Sequence, residues 1–392
     1  MINVNLKSKA ERPVIRRHPW VFSGAIRRVD GSPQPGDVIR LCGQDHRYLA
    51  WGHFSNSDIT VRILGWNEDD PPGSDFFRRR LTEALARRKH LFARSGLSAF
   101  RLVYGESDGL PGLVADWYDG YIVLSAQTPG ADRSKQSAAE TLMELTGAKG
   151  VIERSKSDVR KLEGLEPSEG ILCGQAAPEH HEILENGHRF LVDLTRGQKT
   201  GFYVDQRPNR KLVAEYAKDH TVLDVFSYTA AFSIYAASQG AASITRVESS
   251  ADVTELGDRN LKLNNLDTGE SIVADAFTAL REFRNQGRSF DLIILDPPKL
   301  APTKAQVERA SRAYKDINLL AAKLLNPGGI LATFSCSGGV SADLFQKILF
   351  GACLDAGRDL RILHHMSQGT DHPVLLTFPE SWYLKGLVLQ AD

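Results

Sequence analysis

The stretch SFDLIILDPPKL, residues 289–300, decides how this chain is read. Ile293, Ile294 and Leu295 form an apolar run too short for a helix, and it stops abruptly at Asp296-Pro297-Pro298-Lys299. Such a run suits the end of a strand buried on both faces of a parallel sheet. Two prolines then end the ladder, because neither carries an N–H to donate. A carboxylate is thereby set beyond the carboxyl end of a strand, where open α/β sheets bind their ligands.

Working outward, strand–helix alternation begins at Thr221. TVLDVFSYTAAFSIYAASQG gives a strand reaching Asp224, a turn of small residues and a helix ending at Gly240. ASITRVESS brings a second strand to Glu248, and SIVADAFTAL a third to Asp275. After a helix over Arg309–Leu325, GGILATFSCSGG ends a fifth strand at Ser335-Cys336-Ser337. The four carboxylates are spaced by 24, 27 and 21 residues, about one βα unit each, which predicts one edge of one parallel sheet. Acids at consecutive strand ends suit a nucleoside cofactor, with Glu248 on the ribose hydroxyls and Asp275 on the adenine amine. The first turn, Phe226-Ser227-Tyr228-Thr229-Ala230-Ala231, contains no glycine. A dinucleotide would need glycine there to admit its pyrophosphate; S-adenosylmethionine has none and is allowed. The cofactor site is accordingly read as Gln206, Asp224, Phe226, Ser227, Tyr228, Thr229, Glu248, Asp275, Ala276 and Asp296. Gln206 enters because GQKTGFYVDQRPNR, Gly197 to Arg210, is a polar loop running into a helix over Asn209–Tyr216.

N-terminal to this sheet the pattern changes. Residues 1–66 read as all-β, with strands at Val38–Leu41, Tyr48–Trp51 and Ile59–Ile63 between turn clusters. Within RRHPWVFSGAI, Arg16, Arg17, His18 and Trp20 combine cations with an aromatic, as phosphate contact and base stacking require. The competing reading makes Trp20 or Phe22 a core residue. NEDDPPGSD is a linker, and FFRRRLTEALARRKHLF an amphipathic helix with Phe77, Leu81, Ala84, Leu85 and Leu91 near one face and arginines mostly around the other. Residues 76–195 then give that helix and a small α+β domain, with a helix at Ser134–Leu145 and strands at Gly150–Glu153 and His188–Asp193. GESDGLPGL, residues 105–113, reads either as an active-site loop or as two tight turns.

With 392 residues the chain can hold two or three domains. No apolar run reaches membrane-spanning length and the start lacks the apolar core of a signal peptide, so a cytoplasmic, non-membrane protein is expected. Cys42, Cys173, Cys336 and Cys353 lack metal-ligand spacing, and so does HHMSQGTDHPV; no metal is expected. The net charge is zero but uneven: residues 1–100 hold 17 Lys+Arg against 10 Asp+Glu, and the rest 31 against 38. A basic N-terminal part points to an anionic partner such as nucleic acid.

RRHPWVFSGA, then PGD and WGHFS, resembles a PUA domain, a small RNA-binding barrel. With ESDGLPGL, KTGFYVDQRPNR, VLDVFSYTAAFS, DPPK, FSCSG, DHPV and YLKGL, the chain from Arg12 to Leu387 resembles the PUA-containing class I methyltransferases that form 5-methylcytosine in bacterial 23S ribosomal RNA. The resemblance implies a PUA-like barrel over 1–66, a central α+β domain over 76–195 and a Rossmann-like α/β methyltransferase domain over 196–392. It also implies ribosomal RNA as partner and allows a homodimer. Carbon 5 of cytosine becomes nucleophilic once a thiolate adds to carbon 6, which makes Cys336 the candidate nucleophile. Asp296 would hydrogen-bond ring nitrogen 3, and Lys299 would contact RNA. Two departures stand out: Ala230-Ala231 replaces the family's usual Gly-Gly, and Leu300 its usual Phe. A base-amine or guanine methyltransferase, or an RNA-binding assembly factor without catalysis, are the alternative readings.

Overall fold

The computed structural model describes residues 2–197, 200–301 and 306–392. Gln198 and Lys199, within the polar loop read from the sequence, lie outside the described residues. The chain divides into two compact units. The first holds Met1–Asn186, Val192–Val204 and Thr370–Ser381; the second holds Gly187–Leu191, Asp205–Gly369 and Trp382–Asp392.

The first unit holds residues 1–66 and most of residues 76–195, but Gly187–Leu191 falls in the second unit and Thr370–Ser381, read with the C-terminal domain, falls in the first. Strands β1 (Asn3–Leu6), β2 (Trp20–Phe22), β3 (Ile26–Asp30), β4 (Val38–Cys42), β5 (Tyr48–Phe54) and β6 (Ile59–Gly65) form a sheet ordered β2-β6-β5-β4-β1-β3. A short helix α1 (Arg12–Ile15) precedes β2, and α2 (Ser74–Phe92) follows the sheet. Next come β7 (Ala99–Tyr104), β8 (Leu113–Tyr118), β9 (Tyr121–Ala126), α3 (Pro129–Thr146), β10 (Gly150–Ser155), α4 (Asp158–Leu162) and β11 (Ser168–Gly174). The five strands make a sheet ordered β11-β10-β9-β8-β7. Strands β12 (His181–Glu185) and β13 (His188–Val192) come next in the chain. A buried ion pair ties β6 to the end of α4: Arg62 bonds Glu163 through both terminal guanidinium nitrogens, at 3.1 and 2.5 Å, and both side chains are almost fully buried.

Helix α2 differs from its sequence reading in one respect. Arg88 is not on the wet face but buried, held by Asp108 at 2.9 and 2.8 Å and by the Asp371 carbonyl at 2.9 Å. A carboxylate spanning the guanidinium fork offsets the cost of burying the charge. All four other arginines of α2 are also paired: Arg78 with Glu144, Arg79 with Asp70, Arg80 with Glu83 and Arg87 with Asp108. GESDGLPGL therefore does structural work here: Asp108 also accepts the Tyr104 N–H at 2.7 Å, and Glu106 accepts the Trp20 indole N–H at 2.7 Å.

The second unit is built on a seven-stranded sheet. Its elements are α5 (Arg207–Ala214), β14 (Thr221–Val225), α6 (Ala231–Ser238), β15 (Ser243–Glu248), α7 (Ala251–Leu263), β16 (Glu270–Val273), α8 (Ala276–Asn285), β17 (Phe290–Leu295), α9 (Val307–Leu324), β18 (Leu325–Ser335), α10 (Ala342–Ala356), β19 (Leu360–Met366) and β20 (Lys385–Ala391). The strand order is β16-β15-β14-β17-β18-β20-β19. Strands β14 to β18 are parallel, and β20 runs antiparallel between β18 and β19. The sheet is thus mixed rather than wholly parallel. The apolar run of β17 is explained by its two faces: Ile293 and Leu295 pack with Phe283, Tyr314 and Ile317 of α8 and α9, while Leu292 and Ile294 pack with Val213 and Phe232 of α5 and α6. Helices cover both faces, so no residue of the strand core can be polar without a partner. Among the described residues no helix is long and apolar enough to cross a membrane.

Candidate active site

All the strand-end acids read from the sequence lie in the second unit, and the sheet explains why. Register pairs Val225 with both Val247 and Leu295, so β14, β15 and β17 end level with one another. The turn after β14 is sharply wound. Phe226, Tyr228 and Ala230 all have positive φ, at 62°, 47° and 66°, although none is glycine. Each left-handed non-glycine residue costs about 1–2 kcal/mol, so the surroundings must hold the turn. They do so with backbone bonds from Phe226 and Ser227 N–H to the Val247 carbonyl at 2.9 and 3.2 Å, and from Ala230 N–H to Ser227 at 2.8 Å. Asn260, fully buried on α7, donates to the Thr229 carbonyl at 3.3 Å and accepts the Leu191 N–H at 2.7 Å. The first departure from the family pattern is thereby located: Ala230 stands at a left-handed position that glycine would occupy without strain, whereas Ala231 opens α6 in ordinary helical conformation.

Asp224 is buried, and its carboxylate accepts the Ser233 hydroxyl at 2.6 Å, fastening α6 to β14. Burial pushes its carboxyl up to about 6, opposed by the Ser233 bond and the Arg246 charge and reinforced by Glu248. Glu248 is half-buried at the end of β15. Its Oε1 accepts the Ser249 and Ser250 N–H groups at 2.7 and 3.1 Å, and its Oε2 accepts the Tyr228 N–H at 3.1 Å. Asp275 is exposed and caps α8, taking the Thr278 N–H on Oδ1 at 3.0 Å. Ala276 follows it, buried in the first turn of α8. Gln206 is buried, and its side-chain carbonyl accepts from Asn209 at 2.6 Å.

These residues fit the nucleoside end of S-adenosylmethionine. Carboxylate oxygens such as those of Glu248 and Asp275 have the acceptor lone pairs that hydroxyls and an exocyclic amine require. The Thr229 hydroxyl oxygen is buried in the same turn with no hydrogen-bond partner among the described residues, a group that a polar ligand would satisfy.

The two residues read from the sequence as reacting groups follow β17 and β18. Asp296 follows β17 directly and is half-buried, and its N–H reaches the Val225 carbonyl at 3.5 Å. Cys336 follows β18 directly, is also half-buried, and has its sulfur 3.9 Å from the Pro297 carbonyl. Its neighbours are locked by α9: the Tyr314 hydroxyl is within 3.0 Å of Ser335 Oγ and 3.1 Å of Ser337 Oγ, which also accepts the Ala301 N–H at 3.0 Å. Lys299 is exposed. Lys385, in the YLKGL motif, is a charged group at this site that the sequence did not single out. It is 5% exposed, which no solitary lysine advertises, and its ammonium donates to the Ser337 carbonyl at 2.8 Å.

The remaining candidates belong to the first unit. Arg16 and Arg17 are exposed, with the Arg17 guanidinium 5.1 Å from the Trp66 ring centre. His18 lies 3.4 Å from Glu380, and Trp20 packs edge-on against Phe378 at 4.6 Å. Trp20 is therefore already engaged by Glu106 and Phe378. Among the described residues no cluster of His, Cys, Asp and Glu could hold a metal.

A strand-end acid set of this kind, on a sheet with a reversed strand inserted beside β18, defines a class I methyltransferase. The chain belongs to the S-adenosylmethionine-dependent methyltransferase family, whose model matches residues 101–364, and a PUA-like domain matches residues 4–66. It is 44% identical to the ribosomal RNA large subunit methyltransferase I of Shewanella denitrificans, over 100% of this chain and 99% of that one. It is 45% identical to the protein of the same name from Aeromonas salmonicida, over 97% of each. A solved SAM-dependent methyltransferase from Streptococcus mutans shares the fold, with a TM-score of 0.86 at 24% identity over the whole of both chains.

Proposed function

We propose that the chain methylates carbon 5 of a cytosine in large-subunit ribosomal RNA, with Cys336 as covalent nucleophile. The names of its full-length relatives support the RNA. The observation that supports the chemistry is that Asp296 and Cys336 directly follow the adjacent parallel strands β17 and β18, with the sulfur 3.9 Å from the Pro297 carbonyl.

The Cys336 thiolate adds to carbon 6, forming a sulfur–carbon bond and moving electron density to carbon 5. Asp296 in its protonated form donates to ring nitrogen 3, where charge builds during the addition. Glu248 and Asp275 would hold the ribose and adenine of S-adenosylmethionine, which would supply carbon 5 with an electrophilic methyl at the expense of its sulfonium bond. A base then removes the carbon 5 proton, and the electron pair expels the Cys336 thiolate. Lys299, exposed beside Asp296, contacts RNA phosphate, and Gln206, Asp224, Phe226, Ser227, Tyr228, Thr229 and Ala276 line or support the cofactor turn.

Cys336→Ala is expected to lose methyl transfer to a large-subunit ribosomal RNA transcript while S-adenosylmethionine still binds. A transcript carrying 5-fluorocytosine has no carbon 5 proton to lose, so it stays joined to the sulfur. Mass spectrometry finds that adduct on Cys336 if the reading is right. Full activity in Cys336→Ala, or a methyl found on a base amine, rejects it.

A further inference from the structure

We propose that Lys385 is a positioning residue that holds Cys336 as a thiolate by placing an ammonium on the carbonyl of Ser337, one residue beyond it. The inference rests on Cys336 being the nucleophile, and it deepens that reading by naming what activates the sulfur.

The geometry begins with the reversed strand. Lys385 opens β20 and is paired in register with Ser335, the last residue of β18. Its side chain therefore starts beside the Ser335-Cys336-Ser337 turn. The Ser337 carbonyl accepts its ammonium at 2.8 Å. That bond fixes the charge beside Cys336, and the turn cannot swing away, because Ser335 and Ser337 are both tied to the Tyr314 hydroxyl.

The chemistry of this lysine is unusual. A lysine at 5% exposure normally faces a carboxylate, since a buried ammonium without one is strongly penalised. Among the described residues no Asp or Glu lies within ion-pair distance of Lys385. The titratable groups that reach it are Cys336, Lys299 and, through the two serine hydroxyls, Tyr314. Of these, Cys336 is the group that becomes negative most readily. Burial holds the lysine down at about 8, Lys299 presses the same way, and the Cys336 thiolate opposes both. The coupling is reciprocal: a thiolate that favours the ammonium is favoured by it to the same extent. The same surroundings do not act on the other half-buried cysteines. Burial raises the thiols of Cys173 and Cys353, and acids near them raise them further. Among the described residues, Cys336 is thus the half-buried cysteine with a buried ammonium bonded to the next residue's carbonyl, whereas fully buried Cys42, 3.5 Å from Arg40, is raised by its burial.

The test is the pH dependence of iodoacetamide alkylation in the full-length protein, read on each cysteine by peptide mass spectrometry. In the unaltered protein Cys336 should titrate below about 8.5, the ordinary thiol value, and below Cys173 and Cys353. Lys385→Met keeps the length and removes the charge. It should raise the Cys336 midpoint by a unit or more, slowing its alkylation at neutral pH about tenfold or further, with Cys173 and Cys353 unmoved. Lys385→Arg, which keeps the charge, should keep the low midpoint. A Cys336 midpoint in the unaltered protein at or above those of the other thiols overturns the proposal without any variant. So does a midpoint that Lys385→Met leaves in place. Methylation surviving in Cys336→Ala would instead reject the covalent route and leave the titration result intact, so the two failures are separable.

Discussion

Asp224 shows how a single residue can work against stability for the sake of a site. Its carboxyl is fully enclosed, pushed up to about 6, and bonded to Ser233. Between its unfolded value near 3.8 and that raised value, the folded chain binds more protons than the unfolded one. Stability contributed by this group therefore falls as pH rises through that window and is flat above it. The full swing is about 3 kcal/mol at 1.36 kcal/mol per unit. Asp224→Asn cannot ionise, so the difference in unfolding free energy between parent and variant isolates the effect from the paired carboxylates, which titrate the opposite way. Urea unfolding at a series of pH values should show the parent losing ground to Asp224→Asn between pH 4 and 7. A difference independent of pH would show that Asp224 is not held neutral at the acid end.

At the scale of elements, the cofactor turn depends on how closely α7 approaches it. Gly257 permits that approach: a Cβ there would lie 2.9 Å from Arg246 Nη1, 3.3 Å from Ala230 Cβ and 3.4 Å from the Thr229 carbonyl carbon. Arg246 is buried and anchored through Nη2 to the Thr268 carbonyl at 3.1 Å, to Asp258 and to Ser271, which limits how far its guanidinium can move. Gly257→Ala should destabilise the chain by about 1–3 kcal/mol through overpacking and weaken S-adenosylmethionine binding by displacing the turn. Ala230→Gly removes one of the opposing methyls and the left-handed strain together. The double variant should then recover part of both losses, a non-additivity that denaturation and calorimetry can measure. Unchanged cofactor affinity in Gly257→Ala would show that α7 does not set the turn.

The same elements show what the sequence can disclose. Strands β14 and β17 were legible because burial on both faces demands apolar runs, and their acids because each run stops sharply. The reversed strand β20 was not, since its LVLQA run carries no sign of direction. Nor was the backbone at Ala230, because alanine reads as helix and only the packed neighbours impose φ 66°. Arg88 and Lys385 escaped for a related reason. Long cations are read as exposed, and their burial depends on partners distant in sequence, Asp108 and the Asp371 carbonyl for one and the Ser337 carbonyl for the other.

At the scale of the whole molecule, the uneven charge becomes more specific once the pairs are removed. The arginines of α2 that gave the N-terminal part much of its excess are largely neutralised by carboxylates. Lys9, Arg12, Arg16, Arg17 and Arg27 of the barrel are exposed, and among the described residues none has a carboxylate partner. Arg16 and Arg17 sit on a tightly tied segment: the Arg16 and Arg17 N–H groups bond the Arg12 and Val14 carbonyls at 3.0 Å each, and the Trp66 indole N–H bonds the Val14 carbonyl at 3.0 Å. Cations on a tied segment of a small barrel, with no carboxylate partner among the described residues, are suited to phosphate contact. Replacing both, Arg16→Ala with Arg17→Ala, should weaken binding to a large-subunit ribosomal RNA transcript. If each neutralises one phosphate, the slope of log affinity against log salt should fall by about 1.4, the value for two contacts to a single strand. Affinity for S-adenosylmethionine should not change, because no residue of the cofactor turn is altered. Filter binding across a salt series and a cofactor titration on the same protein make both comparisons. An unchanged salt slope would remove Arg16 and Arg17 from the RNA interface, and a changed cofactor affinity would show that the barrel and the sheet are energetically coupled.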